Sequence, residues 1–137
     1  MPELFLDTGF AIALASRRDE HHRHAVELAN DIKANRSQLV TTQAVVLEIG
    51  NSLSKPNHRP AAVQLIASLR TDPSVEILPV DEELFDKSFV RCRSRNDKEW
   101  SLTDCISFLV METRGITDAL TPDEHFHQAG FNALMRR

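Results

Sequence analysis

"ELFLDTGFAIAL", residues 3–14, decides the fold. The run Glu3 to Leu6 is short enough for a buried strand and too short for a helix. It ends on an acid, Asp7, and the apolar stretch from about Phe10 reads as a helix. A buried strand that stops at an acid and hands over to a helix is how an α/β domain begins. In such domains ligands collect at the carboxyl ends of the strands.

The same alternation recurs along the 137 residues. "HHRHAVELANDIKAN" carries helical apolar spacing at Ala25, Leu28, Ala29 and Ile32. "SQLVTT" (37–42) reads as a second strand and "QAVVLEIGNSL" as a helix with Val45, Ile49 and Leu53 on one side. "KPNHRP" (55–60) is a turn by its two prolines, and "AAVQLIASLR" is helical. "VEILPV" (75–80) suits a third strand. "DEELFDKSFVRCRSR" is a helix opened by acids and closed by arginines, as the helix dipole favours. A further helix starts near Asp104 and stops near Gly115. "ITDAL" (116–120) is a fourth strand, "PDEHFHQAG" a short helix, and "FNALM" an edge strand. The expected architecture is one domain over 1–137, a three-layer α/β/α sandwich with a mostly parallel central sheet. No repeat, low-complexity tract or internal linker interrupts it.

Composition narrows the function classes. The chain is 42% hydrophobic and 26% charged, as a soluble protein with a real core should be. No apolar run has membrane-spanning length, and no basic region precedes the first apolar run, so neither a membrane span nor a signal peptide is expected. Cys92 and Cys105 read as reduced thiols in a cytoplasmic protein. A net charge of −4 argues against a surface coated in basic residues. It leaves room for a local basic groove and for acids gathered around a cation.

Four acids fall where the strands end. Asp7 follows the first strand, and Asp123 follows the fourth by two residues. Glu48 lies one helical turn after the second strand, and Asp104 lies in the first turn of the helix before the fourth. Each has a plain structural reading. Ser101-Leu102-Thr103-Asp104 is a capping-box pattern. Asp7 and Asp123 could each cap a helix. Glu48, between Leu47 and Ile49, would sit at the edge of an apolar stripe and needs a partner or a solvent-lined cleft. Drawn together, the four would repel, and their pKa values would rise unless a cation offset them. Mg²⁺ or Mn²⁺ suits such oxygen donors, activates water and stabilises charge on a phosphoryl group.

The segments "LFLDTGFAIAL", "TTQAVVLEIGNSL", "DKEWSLTDCISFLVMETRGI" and "ALTPDEHFHQAGF", in that order and spacing, resemble a PIN-domain ribonuclease, most closely the VapC-like toxins of type II toxin–antitoxin pairs. The resemblance implies that Asp7, Glu48, Asp104 and Asp123 form a catalytic Mg²⁺ or Mn²⁺ site, with Thr8 and Thr103 supporting it. It implies RNA as substrate, a small antitoxin protein as partner, and a homodimer. Two positions depart from the family pattern. Gly9 stands where a small polar residue is usual, so a hydroxyl is missing, and Pro122 precedes Asp123 in place of another small polar residue. Proline holds Thr121 extended, which fits a strand end.

Arg91, Arg95 and Lys98, with Arg93, form a basic cluster before Asp104. It reads either as a solvated helix end or as a patch that guides phosphate or grips an antitoxin carboxylate. Arg91 and Arg95 are expected on one helix face. Lys55, His58 and Arg59 carry the same two readings. His21, His22 and His24 read as an exposed helix start rather than a metal tract. His125 and His127 point apart, which makes His125 a surface residue or a neighbour of Asp123 and not a ligand. Trp100 is expected to pack under the active-site loop rather than stack on RNA. Aspartyl-phosphate chemistry would need a second acid near Asp7, and Thr8-Gly9 does not supply it. The remaining alternative to a nuclease is a non-catalytic PIN-like module that binds RNA or a partner.

Overall fold

The computed structural model describes residues 2–136. Five strands, β1 (Glu3–Leu6), β2 (Gln38–Thr42), β3 (Val75–Leu78), β4 (Asp118–Leu120) and β5 (Asn132–Ala133), form one sheet in the order β3-β2-β1-β4-β5. Every pairing is parallel. Among the described residues seven helices accompany the sheet: α1 (Thr8–Ala15), α2 (His22–Asn35), α3 (Gln43–Ser52), α4 (Arg59–Thr71), α5 (Glu82–Ser94), α6 (Leu102–Arg114) and α7 (Glu124–Gln128). They pack in two groups, α1 to α4 and α5 to α7, which makes the expected α/β/α sandwich. No described helix is long and apolar enough to cross a membrane.

Strand order places the site. The chain builds outward from β1 through β2 to β3, then returns by α5 and α6 to lay β4 on the other flank of β1. The direction of winding reverses between β1 and β4, and the crevice at such a reversal is open at the strands' carboxyl ends. Leu6 is in register with Leu120. The residues that follow, Asp7 and Thr121, therefore emerge side by side at the rim. On the other flank, the Thr41 hydroxyl donates to the Leu6 carbonyl at 2.7 Å and fixes the end of β1 against β2.

An aromatic cluster anchors the helices that carry two of the acids. Phe108 is fully buried and meets Phe126 edge-on at 5.0 Å and Trp100 at 5.1 Å, while Phe5 of β1 lies 6.2 Å from Phe126. Asp104 and Phe108 are four apart on α6, so one face of that helix carries both the acid and its anchor. Trp100 donates from Nε1 to Gln128 at 3.1 Å, and is packed as expected. Gly115 ends α6 in the left-handed region, at φ 69°, which favours glycine.

Several boundaries differ from the sequence reading. α1 begins at Thr8 rather than near Phe10, because the chain turns into the helix directly at Asp7. Arg59 and Pro60 belong to the first turn of α4, where proline's missing N–H is no loss. β4 and β5 shrink to three and two residues, and the sheet is wholly rather than mostly parallel. Cys92 and Cys105 are both free thiols.

Candidate active site

Asp7 occupies the N-cap position of α1 yet makes no side-chain cap bond. Its Oδ2 instead accepts from the Thr121 hydroxyl at 2.8 Å, deep in the rim. Burial pushes its carboxyl up from 3.8 to about 7. The Thr121 hydrogen bond opposes the rise, and the charges of Asp104 and Glu48 add to it. Those two acids therefore share the crevice with Asp7.

Glu48 projects from the second turn of α3, and its Oε1 accepts from the Thr8 hydroxyl. Asp104 does not escape its capping role: Ser101 Oγ accepts from the Asp104 N–H at 3.0 Å, and Asp104 Oδ2 accepts from the Ser101 N–H at 3.1 Å. The capping box is complete, and it holds the carboxylate rather than competing with the site. Asp123 caps α7 through Oδ1, which accepts from the His125 N–H at 2.8 Å. The Asp123 N–H in turn donates to Thr121 Oγ1 at 3.1 Å, so one threonine hydroxyl ties Asp7 to Asp123.

Asp104, Asp123 and His125 lie together, with one ligand atom from each within 4.8 Å of the others. His125 Nδ1 is 3.0 Å from Asp104 Oδ2 and 3.4 Å from Asp123 Oδ1. Among the described residues no lysine or arginine pairs with any of the four acids, and His125 is the sole side chain of basic type that reaches them. A carboxylate cluster this weakly compensated, with its deepest member held near pH 7, fits a hard divalent cation.

Thr121 escaped the sequence reading; His125 is the neighbour of Asp123 that one of its two readings offered, but its contact with Asp104 was not foreseen. Thr121 was legible in principle: a threonine directly after one strand, beside an acid directly after its neighbour, follows once the register is known. His125 was placed by its spacing from His127 alone, and the element that covers α7, the start of α6, is invisible to that argument. His21, His22 and His24, expected at an exposed helix start, are each half-buried: His22 Nδ1 contacts the Ala13 carbonyl at 2.7 Å and His21 pairs with Glu20 at 3.2 Å.

The basic cluster is not one surface. α5 ends at Ser94, so Arg95 is its C-cap and leaves the face that holds Arg91. Arg91 makes a two-pronged pair with Glu112 of α6 at 2.6 and 2.9 Å. Arg95 pairs with Asp97 at 3.0 Å and lies over the Trp100 ring at 5.0 Å. Lys98 is half-buried and makes no ion pair among the described residues. Thr103 is half-buried in the first turn of α6, and its hydroxyl makes no hydrogen bond among the described residues.

The two departures from the family pattern prove to be one. A Cβ built on Gly9 would stand 2.8 Å from Pro122 Cδ, closer than real Cβ contacts come. The proline ring takes the space a side chain at position 9 would need. Gly9→Ser is expected to destabilise the chain by about 1–3 kcal/mol through overpacking, and Pro122→Ala in the same chain to restore most of it. Urea melts of the two single variants and the double variant measure the coupling, and additive effects would refute it.

The PIN domain profile matches residues 4–132, and a five-stranded parallel sheet in this order is the framework it describes. The chain belongs to the PIN domain family. It is 31% identical over 129 residues to the 23S rRNA-specific endonuclease VapC20 of Mycobacterium tuberculosis, in strains CDC 1551 / Oshkosh and ATCC 25618 / H37Rv alike, covering 93% of this chain and 95% of the relative. The crystal structure of M. tuberculosis VapC20, described as a Sarcin-Ricin loop cleaving toxin, superposes with a TM-score of 0.81 at 28% identity over 93% of this chain and 95% of that one. The chain is thus a VapC-like PIN protein.

Proposed function

We propose that this protein is a metal-dependent endoribonuclease of the VapC toxin type, acting in the cytoplasm, with Asp7, Glu48, Asp104 and Asp123 as its catalytic carboxylates. The observation that carries this reading is that Asp104 and Asp123 bring ligand atoms within 4.8 Å of one another beside the buried Asp7, with no arginine or lysine among the described residues paired to them. Their oxygens would hold Mg²⁺ or Mn²⁺. Bound there, the cation supplies Lewis-acid stabilisation of phosphoryl charge and makes water a competent nucleophile.

The chain's own residues supply order and position. Thr8 holds Glu48, Thr121 holds Asp7, and the capping box holds Asp104, and such fixed placement favours a preorganised site. Arg95, stacked on Trp100 next to the start of α6, and Lys98 would meet a phosphate backbone approaching α6. Arg91 would have to leave Glu112, and Arg95 would have to leave Asp97, to do so.

Protein partners fit the surface as well. Phe85, Phe89 and Val90 on α5, and Leu47 and Val63 on α3 and α4, are exposed. An apolar groove is lined by Phe10, Leu14, Ile32, Leu65 and Leu69. Such surface supports a homodimer and a small antitoxin partner.

The test is direct. Purified protein is incubated with ribosomes, free 23S rRNA and a broad panel of short RNAs, in Mg²⁺ or Mn²⁺ and in EDTA. Cleavage that stops in EDTA and returns on adding Mn²⁺ is expected. Intact RNA throughout, with Mn²⁺ bound, would favour the non-catalytic binding module instead.

A further inference from the structure

We propose that His125 is a positioning residue for the carboxylate cluster: its Nδ1–H, bonded to Asp104 and facing Asp123, sets which oxygens of those acids remain open to a cation. The proposal rests on the reading of this rim as a cation site and assigns His125 a part in it.

The geometry gives Nδ1 its role. It faces Asp104 Oδ2 at 3.0 Å and Asp123 Oδ1 at 3.4 Å. An ionised carboxylate oxygen only accepts hydrogen bonds. A bare ring nitrogen aimed at two of them would set lone pair against lone pair, so the proton belongs on Nδ1. Both oxygens already accept a backbone N–H, Ser101's for Asp104 and His125's own for Asp123. Asp104 Oδ2 is therefore doubly engaged, and Asp123 Oδ1 has the His125 ring as a close neighbour besides its backbone partner. Asp104 Oδ1 and Asp123 Oδ2 take no hydrogen bond among the described residues. His125 thus sorts each carboxylate into a held oxygen and an open one, and bridges two anions that would otherwise push apart.

The ring cannot drift from this place at low cost. The next residue, Phe126, is fully buried against Phe108 and Phe5. Gln128, at the other end of α7, holds Trp100. The His125 side chain itself is 23% exposed. Groups that orient ligating side chains from behind in this way change metal affinity by about 10–100-fold when removed.

The alternative is that Nδ1 sheds its proton and ligates the cation. The experiment separates the two without RNA. Mn²⁺ affinity is measured by EPR on the full chain, for wild type, His125→Asn, His125→Phe and Asp104→Asn. Asn keeps an N–H near the place of Nδ1, whereas Phe keeps the ring shape without a donor. The expected result is a loss of about 10–100-fold in His125→Phe and near-native affinity in His125→Asn. Pulsed EPR of the wild-type Mn²⁺ complex should show no directly bonded nitrogen. A bound ¹⁴N would make His125 a ligand and overturn the proposal. So would native affinity in His125→Phe, or equal loss in His125→Asn. If wild type binds Mn²⁺ no better than Asp104→Asn, the cation-site reading itself fails, a result distinct from any outcome at His125.

Discussion

Replacing Asp104 by Asn is expected to slow RNA cleavage by about 10²–10³-fold, the scale of losing one fixed electrostatic group at a reacting centre, with little change in melting temperature. The reason lies in how the carboxylate is divided. Oδ2 closes the capping box and faces His125, whereas Oδ1 takes no hydrogen bond among the described residues. Asn keeps one carbonyl oxygen for the Ser101 N–H and puts an NH₂ where the open oxygen stood. The helix start survives, and the face turned to a cation changes from acceptor to donor. Asp104→Ala is the contrasting variant. It removes the same ligand and also opens the box, which costs about 1 kcal/mol. Gel assays of RNA cleavage and thermal melts on both variants separate catalysis from folding. An Asn variant that cleaves at the native rate would remove Asp104 from the chemistry.

The second large effect is on stability, and its sign is unusual for an acid. Asp7→Asn should make the metal-free protein more stable at pH 8, on the order of 2–4 kcal/mol, while abolishing cleavage. Burial raises the Asp7 carboxyl from 3.8 to about 7 in the folded chain. Between those two values the folded state holds a proton that the unfolded state has lost. The contribution to stability is thus fully present below about pH 4 and declines as pH rises, until it is gone above about pH 7. Asn carries no such proton and still accepts from Thr121. In EDTA, melts at a series of pH values should show a falling wild-type curve across that window and a flatter one for Asp7→Asn. Adding Mn²⁺ at pH 8 should raise the wild-type melting temperature and leave the variant unmoved. Parallel curves would show that Asp7 is not the strained group.

Much of the architecture was legible because β1, β2 and β3 are short apolar runs separated by helices with clear starts and stops. Ser101, Asp81 and Gly115 act at helix ends as their residue types suggest. The four acids were legible as strand-end and helix-start residues, and the resemblance to PIN domains named them together. Of their partners, only His125 beside Asp123 was offered, as one of two readings. That Thr121 reaches Asp7 depends on β1 and β4 being neighbours, which the chain decides only when it crosses back past β1. That His125 lies against Asp104 depends on α7 packing under α6. Gly9 and Pro122 looked like two separate oddities because nothing local relates residue 9 to residue 122. Arg95 left its expected face because helix α5 ended one residue early, where Asp97 offered it a partner.

The placement of β1 between β2 and β4 has a consequence for when activity can arise. Proteins are made from the N-terminus, and pairing between distant strands waits for the later one to appear. Thr121 and Asp7 are 114 residues apart in the chain. While a ribosome is still translating the middle of the message, Asp7 has neither its threonine partner nor Asp123 beside it. Until the last strands leave the ribosome, a nascent chain therefore holds Asp7 without the threonine and the acid that complete its surroundings.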